Sequence, residues 1–118
     1  MPVANSIHKR EESVFYELRR YRVVEGKMDE WVEFIEGEII PFQIGKGMVI
    51  TGSFRGEDDV TYIWLRRFDS ESERERLYAE VYDSDEWTNH FAPRVGELID
   101  REAIEVTRII PTPRSVTR

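Results

Sequence analysis

Apolar and polar positions follow two different periodicities along this chain. An alternation with a period of two predicts strands, and apolar residues three and four positions apart predict helices. Strands are predicted at residues 14–24, 48–55, 60–68 and 102–110. Helices are predicted at residues 28–42 and 70–82, with further helical turns before the last strand. This β-α-β-β-α-β order predicts an α+β protein, a ferredoxin-like sandwich with one antiparallel sheet.

The predicted sheet has one face covered by helices and one face left open. Because side chains alternate along a strand, Trp64, Arg66 and Phe68 share one face of the third strand, and Ile63 and Leu65 share the other. We expect Ile63 and Leu65 to pack under the helices and the aromatic set to lie on the open face. A large exposed apolar surface marks an interface. We therefore expect a second copy to pack sheet to sheet around a two-fold axis, giving a homodimeric α+β barrel.

The composition restricts the protein to a few classes. Its 118 residues suffice for one domain, predicted at residues 14–111 between a mobile N-terminal arm at 1–13 and a C-terminal tail at 112–118. The net charge of −7 argues against nucleic acid and anionic membranes as partners. No apolar run reaches the roughly 18 residues of a membrane helix, and cysteine is absent. Since disulfides and thiolate sites are thereby excluded, we expect a cytoplasmic protein.

Two pairs of short motifs resemble those of the NIPSNAP family. Tyr16-Glu-Leu-Arg-x-Tyr21 followed by Gly26-Lys-Met-Asp-Glu-Trp31 is similar to the opening strand and helix of that family. Trp64-x-x-x-Phe68-x-Ser70-x-x-x-Arg74, with Asp85-x-Trp87 after it, is similar to a second family signature. The resemblance covers residues 14–111 and implies a dimeric α+β barrel. The wider superfamily includes monooxygenases, haem enzymes and isomerases, but a shared fold does not confer a function.

Three polar side chains on the first strand form one candidate site. Glu17, Arg19 and Tyr21 alternate and therefore project from the same face. They suit a carboxylate base, an anion clamp and a phenolic acid around a ligand in the barrel. They equally suit an Arg–Glu ion pair with a hydroxyl partner that satisfies a buried polar layer or sets the dimer register. The residues alone leave both interpretations open.

The third strand supplies a second set of candidates. Trp64 and Arg66 share a face, and this topology makes the first and third strands central neighbours, so they are expected near Glu17 or Arg19. An aromatic wall with a guanidinium suits an anionic or carbonyl-bearing ligand. Core packing with one cross-strand salt bridge is the competing explanation. Whether Arg66 or Arg67 points inward stays open, because a bulge would reverse the faces.

His90 is the only histidine inside the predicted domain. It is a candidate base or haem ligand, with Glu86 four residues before it, or else a residue that packs near Trp87. One Glu–His pair falls short of the ligands that a metal site needs, so we expect no metal and no cofactor. Two classes of function remain: a small-molecule enzyme or binder that uses the dimer lumen, and a non-enzymatic dimeric module. A haem-binding protein or a cofactor-free monooxygenase-like enzyme is a third option.

Overall fold

The computed structural model describes residues 13–118, so the predicted N-terminal arm lies outside the described residues except for Ser13. These residues form a four-stranded antiparallel sheet with helices packed on one face. The strands are β1 (Phe15–Val23), β2 (Val49–Arg55), β3 (Thr61–Phe68) and β4 (Ile99–Ile109). The helices are α1 (Met28–Phe34), α2 (Ile40–Lys46), α3 (Glu71–Tyr82) and α4 (Ala92–Leu98). π-Helical turns at Ile35–Ile39 and Trp87–Phe91 precede α2 and α4.

The sheet has the strand order β2-β3-β1-β4, and the predicted β-α-β-β-α-β fold is confirmed. The two central strands are β1 and β3, as expected. Their antiparallel register places Glu17 opposite Arg66 and Arg19 opposite Trp64. Paired residues project from the same face of an antiparallel sheet, so all four side chains lie on one side of it.

The predicted assignment of the two sheet faces is wrong. Trp64, Arg66 and Phe68 are buried beneath the helices, whereas Ile63 and Leu65 lie on the open face. Alternation determines which residues share a face but not which face meets the helices. Burying the large rings of Trp64 and Phe68 removes more apolar area from water than burying the two aliphatic side chains, which favours the observed orientation. These aromatic residues therefore do not line a space between two sheets.

Arg66, not Arg67, is the arginine that enters the protein interior. Arg67 lies on the open face, where its guanidinium donates to Asp69 at 2.7 Å and to the carbonyl of Arg118 at 3.0 Å. The register of β3 against β1 is regular, so the bulge that would have exchanged the faces of Arg66 and Arg67 does not occur there. The second contact also shows that the C-terminal residues run along this face of the sheet.

The first helical region is longer than the apolar pattern predicted. It continues past Phe42 to Lys46 and ends at Gly47, whose φ of 110° is left-handed. Pro41, which has no backbone N–H, directly follows the π-helical turn Ile35–Ile39 and the first residue of α2. Ser70 caps α3, since the Glu73 backbone N–H donates to the Ser70 hydroxyl at 3.1 Å. No helix among residues 13–118 is both long and apolar enough to cross a membrane.

The core lies between the sheet and the helices and is rich in aromatic rings. Trp31 of α1 makes edge contacts with Tyr21 and Tyr62, at ring-centroid distances of 5.8 and 5.7 Å. Aromatic pairs in this geometry stabilise beyond their buried area. Phe15 and Phe68 belong to a second cluster near α3, with centroids 5.5 Å apart. The rings thus connect both central strands to the helices and leave little freedom in how the two layers align.

Candidate functional site

A cavity of about 330 Å³ opens between the sheet and the helices. Its walls are mostly aromatic and aliphatic, and among residues 13–118 no carboxylate side chain lines it. All three tryptophans of the chain belong to this wall. The lining residues are Arg19, Tyr21, Trp31, Ile35, Ile39, Trp64, Tyr82, Trp87, Ala92, Val95, Ile99, Arg101 and Ile104. Concave, largely apolar cavities with a few polar groups are typical of small-molecule sites.

Alternation along the central strands brings the predicted side chains to this cavity. Arg19 and Tyr21 are two positions apart on β1, and Trp64 pairs with Arg19 on β3. The cavity lies on the helix side of the sheet because the large rings of these strands are buried there. A ligand here would be enclosed within one protomer and would not lie between two sheets.

Arg19 is held at the cavity by phenolic hydroxyls. Its Nε donates to Tyr21 Oη at 3.0 Å, and Nη1 donates to Tyr78 Oη at 3.2 Å. The nearest carboxylate oxygen, Glu17 Oε1, is 3.9 Å from Nη1. Burial lowers the pKa of Arg19, but the phenolic groups of Tyr21 and Tyr82 outweigh it and raise the pKa above its usual value. The guanidinium therefore stays charged in the cavity wall.

Glu17 accepts hydrogen bonds from three side chains. Arg66 Nη2 donates to Oε1 at 2.9 Å, Arg74 Nε donates to Oε2 at 2.7 Å, and the Tyr78 hydroxyl lies 2.6 and 2.8 Å from the two oxygens. Burial alone would raise the pKa of Glu17, but the hydrogen bonds from Arg74 and Tyr78 and the charge of Arg66 lower it below its usual value. Glu17 is therefore ionised at neutral pH, and its bonding capacity is taken up by the protein.

Arg66 is fully buried and fully paired at both of its terminal nitrogens. Besides Glu17, Nη1 donates to Gln43 Oε1 at 2.9 Å and to Tyr82 Oη at 2.7 Å, and Nη2 donates to Tyr78 Oη at 2.8 Å. We call the set of Glu17, Gln43, Arg66, Arg74, Tyr78 and Tyr82 the Glu17 cluster. Tyr82 belongs to both the Glu17 cluster and the cavity wall. The cluster thus holds part of the cavity wall in place.

The six residues proposed from the sequence are divided by the structure into three groups. Three of them line the cavity, namely Arg19, Tyr21 and Trp64. Glu17 and Arg66 do not face each other across a void, because they are in direct contact at 2.9 Å. A ligand therefore has no space between these two side chains. Their geometry matches the ion-pair interpretation.

His90 does not line the cavity. Its side chain is 63% exposed, and Nε2 lies 3.0 Å from Glu38 Oε1, not beside Glu86. Its ring packs against Phe91 at a centroid distance of 4.7 Å. Within the described part of the chain, no group of three or more His, Asp or Glu side chains is placed to hold a metal ion.

Several residues of the cavity were missed by the sequence interpretation. Tyr82 ends α3, Trp87 begins a π-helical turn, and Arg101 lies on β4, so none shares an alternation pattern with Arg19. Trp87 did appear in the second family motif, which was a usable signal. No sequence signal pointed to Arg101, because it lies where the register between β1 and β4 is irregular, between Asp100 and Glu105.

Two buried donors in the cavity wall lack a partner. Among the described residues, neither the Trp31 nor the Trp64 indole N–H has a hydrogen-bond acceptor. An unpaired buried donor costs about 1–3 kcal/mol. Both nitrogens are enclosed by protein atoms, so these N–H groups are not part of the cavity surface.

These features define an α+β ferredoxin-like sandwich with a cavity under its helices, and solved structures share the fold. A NIPSNAP family protein from Agrobacterium tumefaciens strain C58 superposes with a TM-score of 0.78 at 26% identity, covering 89% of this chain and 99% of its own. An uncharacterised NIPSNAP-like domain protein from Burkholderia xenovorans superposes with a TM-score of 0.79 at 19% identity, covering 88% of this chain and 90% of its own. SnoaB, a cofactor-independent oxygenase from Streptomyces nogalater, superposes with a TM-score of 0.65 at 17% identity, covering 90% of this chain and 99% of its own.

The sequence profile of the NIPSNAP family matches residues 16–115. The chain therefore belongs to the NIPSNAP family, and the resemblance seen in its strand and helix motifs is confirmed. No curated protein matches the sequence significantly. The family membership and the structural similarities establish the fold, and they leave the activity to be argued from the cavity.

Proposed function

We propose that the protein binds a small, planar, oxygen-bearing organic molecule in the cavity of each protomer. The observation that carries this proposal is the cavity itself, about 330 Å³ with three tryptophans, two tyrosines and a buried guanidinium in its wall. Aromatic walls favour a flat ligand, and the guanidinium and phenolic hydroxyls favour oxygen acceptors. The volume falls at the small end of the range of ligand sites.

The similarity to SnoaB makes cofactor-free oxygenase chemistry the reaction to test first, although 17% identity supports the fold alone. In the cavity, Arg19 is placed to stabilise negative charge that develops on a ligand oxygen. Burial raises the pKa of Tyr21 although the charge of Arg19 opposes it, so the phenol remains a neutral donor. A haem is less well supported, because His90, the one histidine among residues 13–118, does not line the cavity.

A cavity-filling substitution tests the binding proposal. We expect Ala92→Phe to weaken binding of the neutral probe 2-naphthol by about tenfold or more, because the added ring occupies space that a ligand needs. Equilibrium dialysis gives the affinity. A bound ligand also raises the melting temperature of the wild type by mass action.

Ala79→Phe is the matched control, since Ala79 is exposed on α3 and outside the cavity. It should bind 2-naphthol as the wild type does. If a panel of planar oxygen-bearing compounds that includes 2-naphthol neither binds nor shifts the melting temperature of the wild type, the proposal fails. The non-enzymatic dimeric module would then be the better account.

We further propose that the protein is a homodimer that packs through the open face of the sheet. The register places Ile63, Leu65 and Phe54 on this face, together with Val49 and Ile109. Phe54 is 57% exposed and Val49 45% exposed. Large apolar side chains exposed on one sheet face support an interface, and a second copy supplies a surface of matching chemistry.

The dimer should dissociate when a charge is placed on this face. The wild type is expected at about 28 kDa in light scattering, twice the chain mass of 14.0 kDa. Ile63→Lys should shift it to the monomer mass at micromolar concentration, because an unpaired charge in an apolar interface is strongly unfavourable. Val106→Lys is the control, because Val106 is also exposed but lies on the other face, opposite Arg19. A monomeric wild type would contradict the dimer.

A further inference from the structure

The buried charges beside the cavity do not balance. Among residues 13–118, three guanidiniums surround a single carboxylate: Arg66 and Arg74 contact Glu17 at 2.9 and 2.7 Å, and Arg19 stands at 3.9 Å. Arg74 reaches partly into solvent and also approaches Glu71 at 3.4 Å. Arg66 and Arg19 are both largely buried, so one positive charge in this layer has no carboxylate of its own.

Arg19 is the guanidinium that carries this surplus. Both oxygens of Glu17 already accept from Arg66, Arg74 and Tyr78. The two hydrogen bonds that Arg19 donates go to the neutral hydroxyls of Tyr21 and Tyr78. A guanidinium has five N–H donors in a fixed fork, so these bonds use only part of its capacity. Its side chain is 14% exposed and lies at the cavity.

Among residues 13–118, the rest of the cavity wall adds a second cation but no carboxylate. Arg101 lines the cavity, with its guanidinium donating to the carbonyl of Ala92. The protein carries a net charge of −7, yet this cavity is locally positive. Such a site favours a ligand rich in acceptors and negatively charged.

We propose that the ligand of this cavity is an aromatic organic anion, with its carboxylate held by Arg19 and its ring between the tryptophans. This inference rests on the proposed binding function and specifies its ligand class. A carboxylate pairs with the guanidinium fork through two parallel hydrogen bonds. It thereby supplies the negative charge that the buried layer lacks. A neutral ligand of the same shape fills the cavity but leaves the charge of Arg19 uncompensated.

A pair of probes that differ only in charge tests this proposal. The wild type should bind 2-naphthoate at least about tenfold more tightly than 2-naphthamide, because a hydrogen bond between charged groups contributes more than one to a neutral amide. Isothermal titration calorimetry at neutral pH gives both affinities. Equal affinities would overturn the anion preference and leave the binding proposal intact. Binding of neither probe would overturn the binding proposal as well.

Substitution of Arg19 tests whether its guanidinium is the group that binds the carboxylate of the ligand. Arg19→Gln should abolish the preference for 2-naphthoate, so that 2-naphthoate and 2-naphthamide bind with similar affinities. Arg20→Gln is the matched control, because Arg20 is the next residue on β1 and its exposed side chain lies on the opposite face, 3.9 Å from Glu105. If Arg19→Gln fails to fold, Arg19→Lys keeps the charge without the fork, and the 2-naphthoate preference should fall but persist. An undiminished preference in either folded Arg19 variant would contradict the proposal.

Discussion

Glu17→Gln is expected to lower the free energy of unfolding by about 3–5 kcal/mol, as found when one partner of a buried ion pair is removed. The substitution leaves Arg66 fully buried without its carboxylate, and it places amide donors against guanidinium donors. Typical domains have only about 5–15 kcal/mol of stability, so this loss is a large fraction. Urea unfolding at neutral pH measures it. Because Glu17 does not line the cavity, we expect stability to change more than ligand affinity.

The pH dependence provides an independent check on the same residue. The folded-state pKa of Glu17 lies below the ordinary value of 4.5. The stability that its charge contributes is therefore present above pH 4.5 and is lost as the pH falls through the folded-state pKa. The difference in the free energy of unfolding between the wild type and Glu17→Gln should therefore become smaller as the pH falls below 4.5. A difference that stays constant from neutral to acid pH would contradict the role assigned to Glu17.

Glu105→Gln is the control for this prediction. Glu105 is mostly exposed and approaches Arg20 at 3.9 Å. Exposed ion pairs contribute about 0–1 kcal/mol, so this variant should unfold nearly as the wild type does. The double variant Glu17→Leu/Arg66→Met should be less destabilised than the sum of its single variants, because removing both charges leaves neither unpaired.

Trp64→Ala is expected to lower the free energy of unfolding by about 3–5 kcal/mol, the range for deleting a large buried aromatic side chain. Trp64 is 1% exposed, its ring lies 6.2 Å from that of Tyr21, and the Arg66 guanidinium stands 5.0 Å from its centroid. The substitution leaves a void in the core and removes a cation–π contact. Urea unfolding measures the change, and 2-naphthol binding reports the altered cavity.

Trp64→Phe is the comparison for this variant. It keeps an aromatic ring beside Tyr21 and Arg66 and should recover most of the stability that Trp64→Ala loses. If Trp64→Ala and Trp64→Phe were equally destabilised, the loss would come from the indole alone and not from ring packing. A cost below about 1 kcal/mol for Trp64→Ala would show that the side chain is not packed in the core.

Much of the candidate site was accessible from the sequence because strands have a period of two. Glu17, Arg19 and Tyr21 were expected on one face of β1, and the register brings that face beside Trp64 and Arg66. The contact between Glu17 and Arg66 was one of the two interpretations considered. The division between the cavity and the Glu17 cluster was not predictable, because it depends on which partners each guanidinium reaches in three dimensions.

The sequence by itself determined the order of elements, the sharing of faces and the family, because these follow from local periodicity and short motifs. Tertiary structure alone decided which face of the sheet the helices cover, and it buried Trp64 and Arg66 where an open face was expected. The physical reason is that burial is a property of both layers together. Large rings gain most from the interior, and Arg66 can follow them because Glu17, Gln43 and Tyr82 accept hydrogen bonds from its terminal nitrogens. Its Nε has no partner among the described residues.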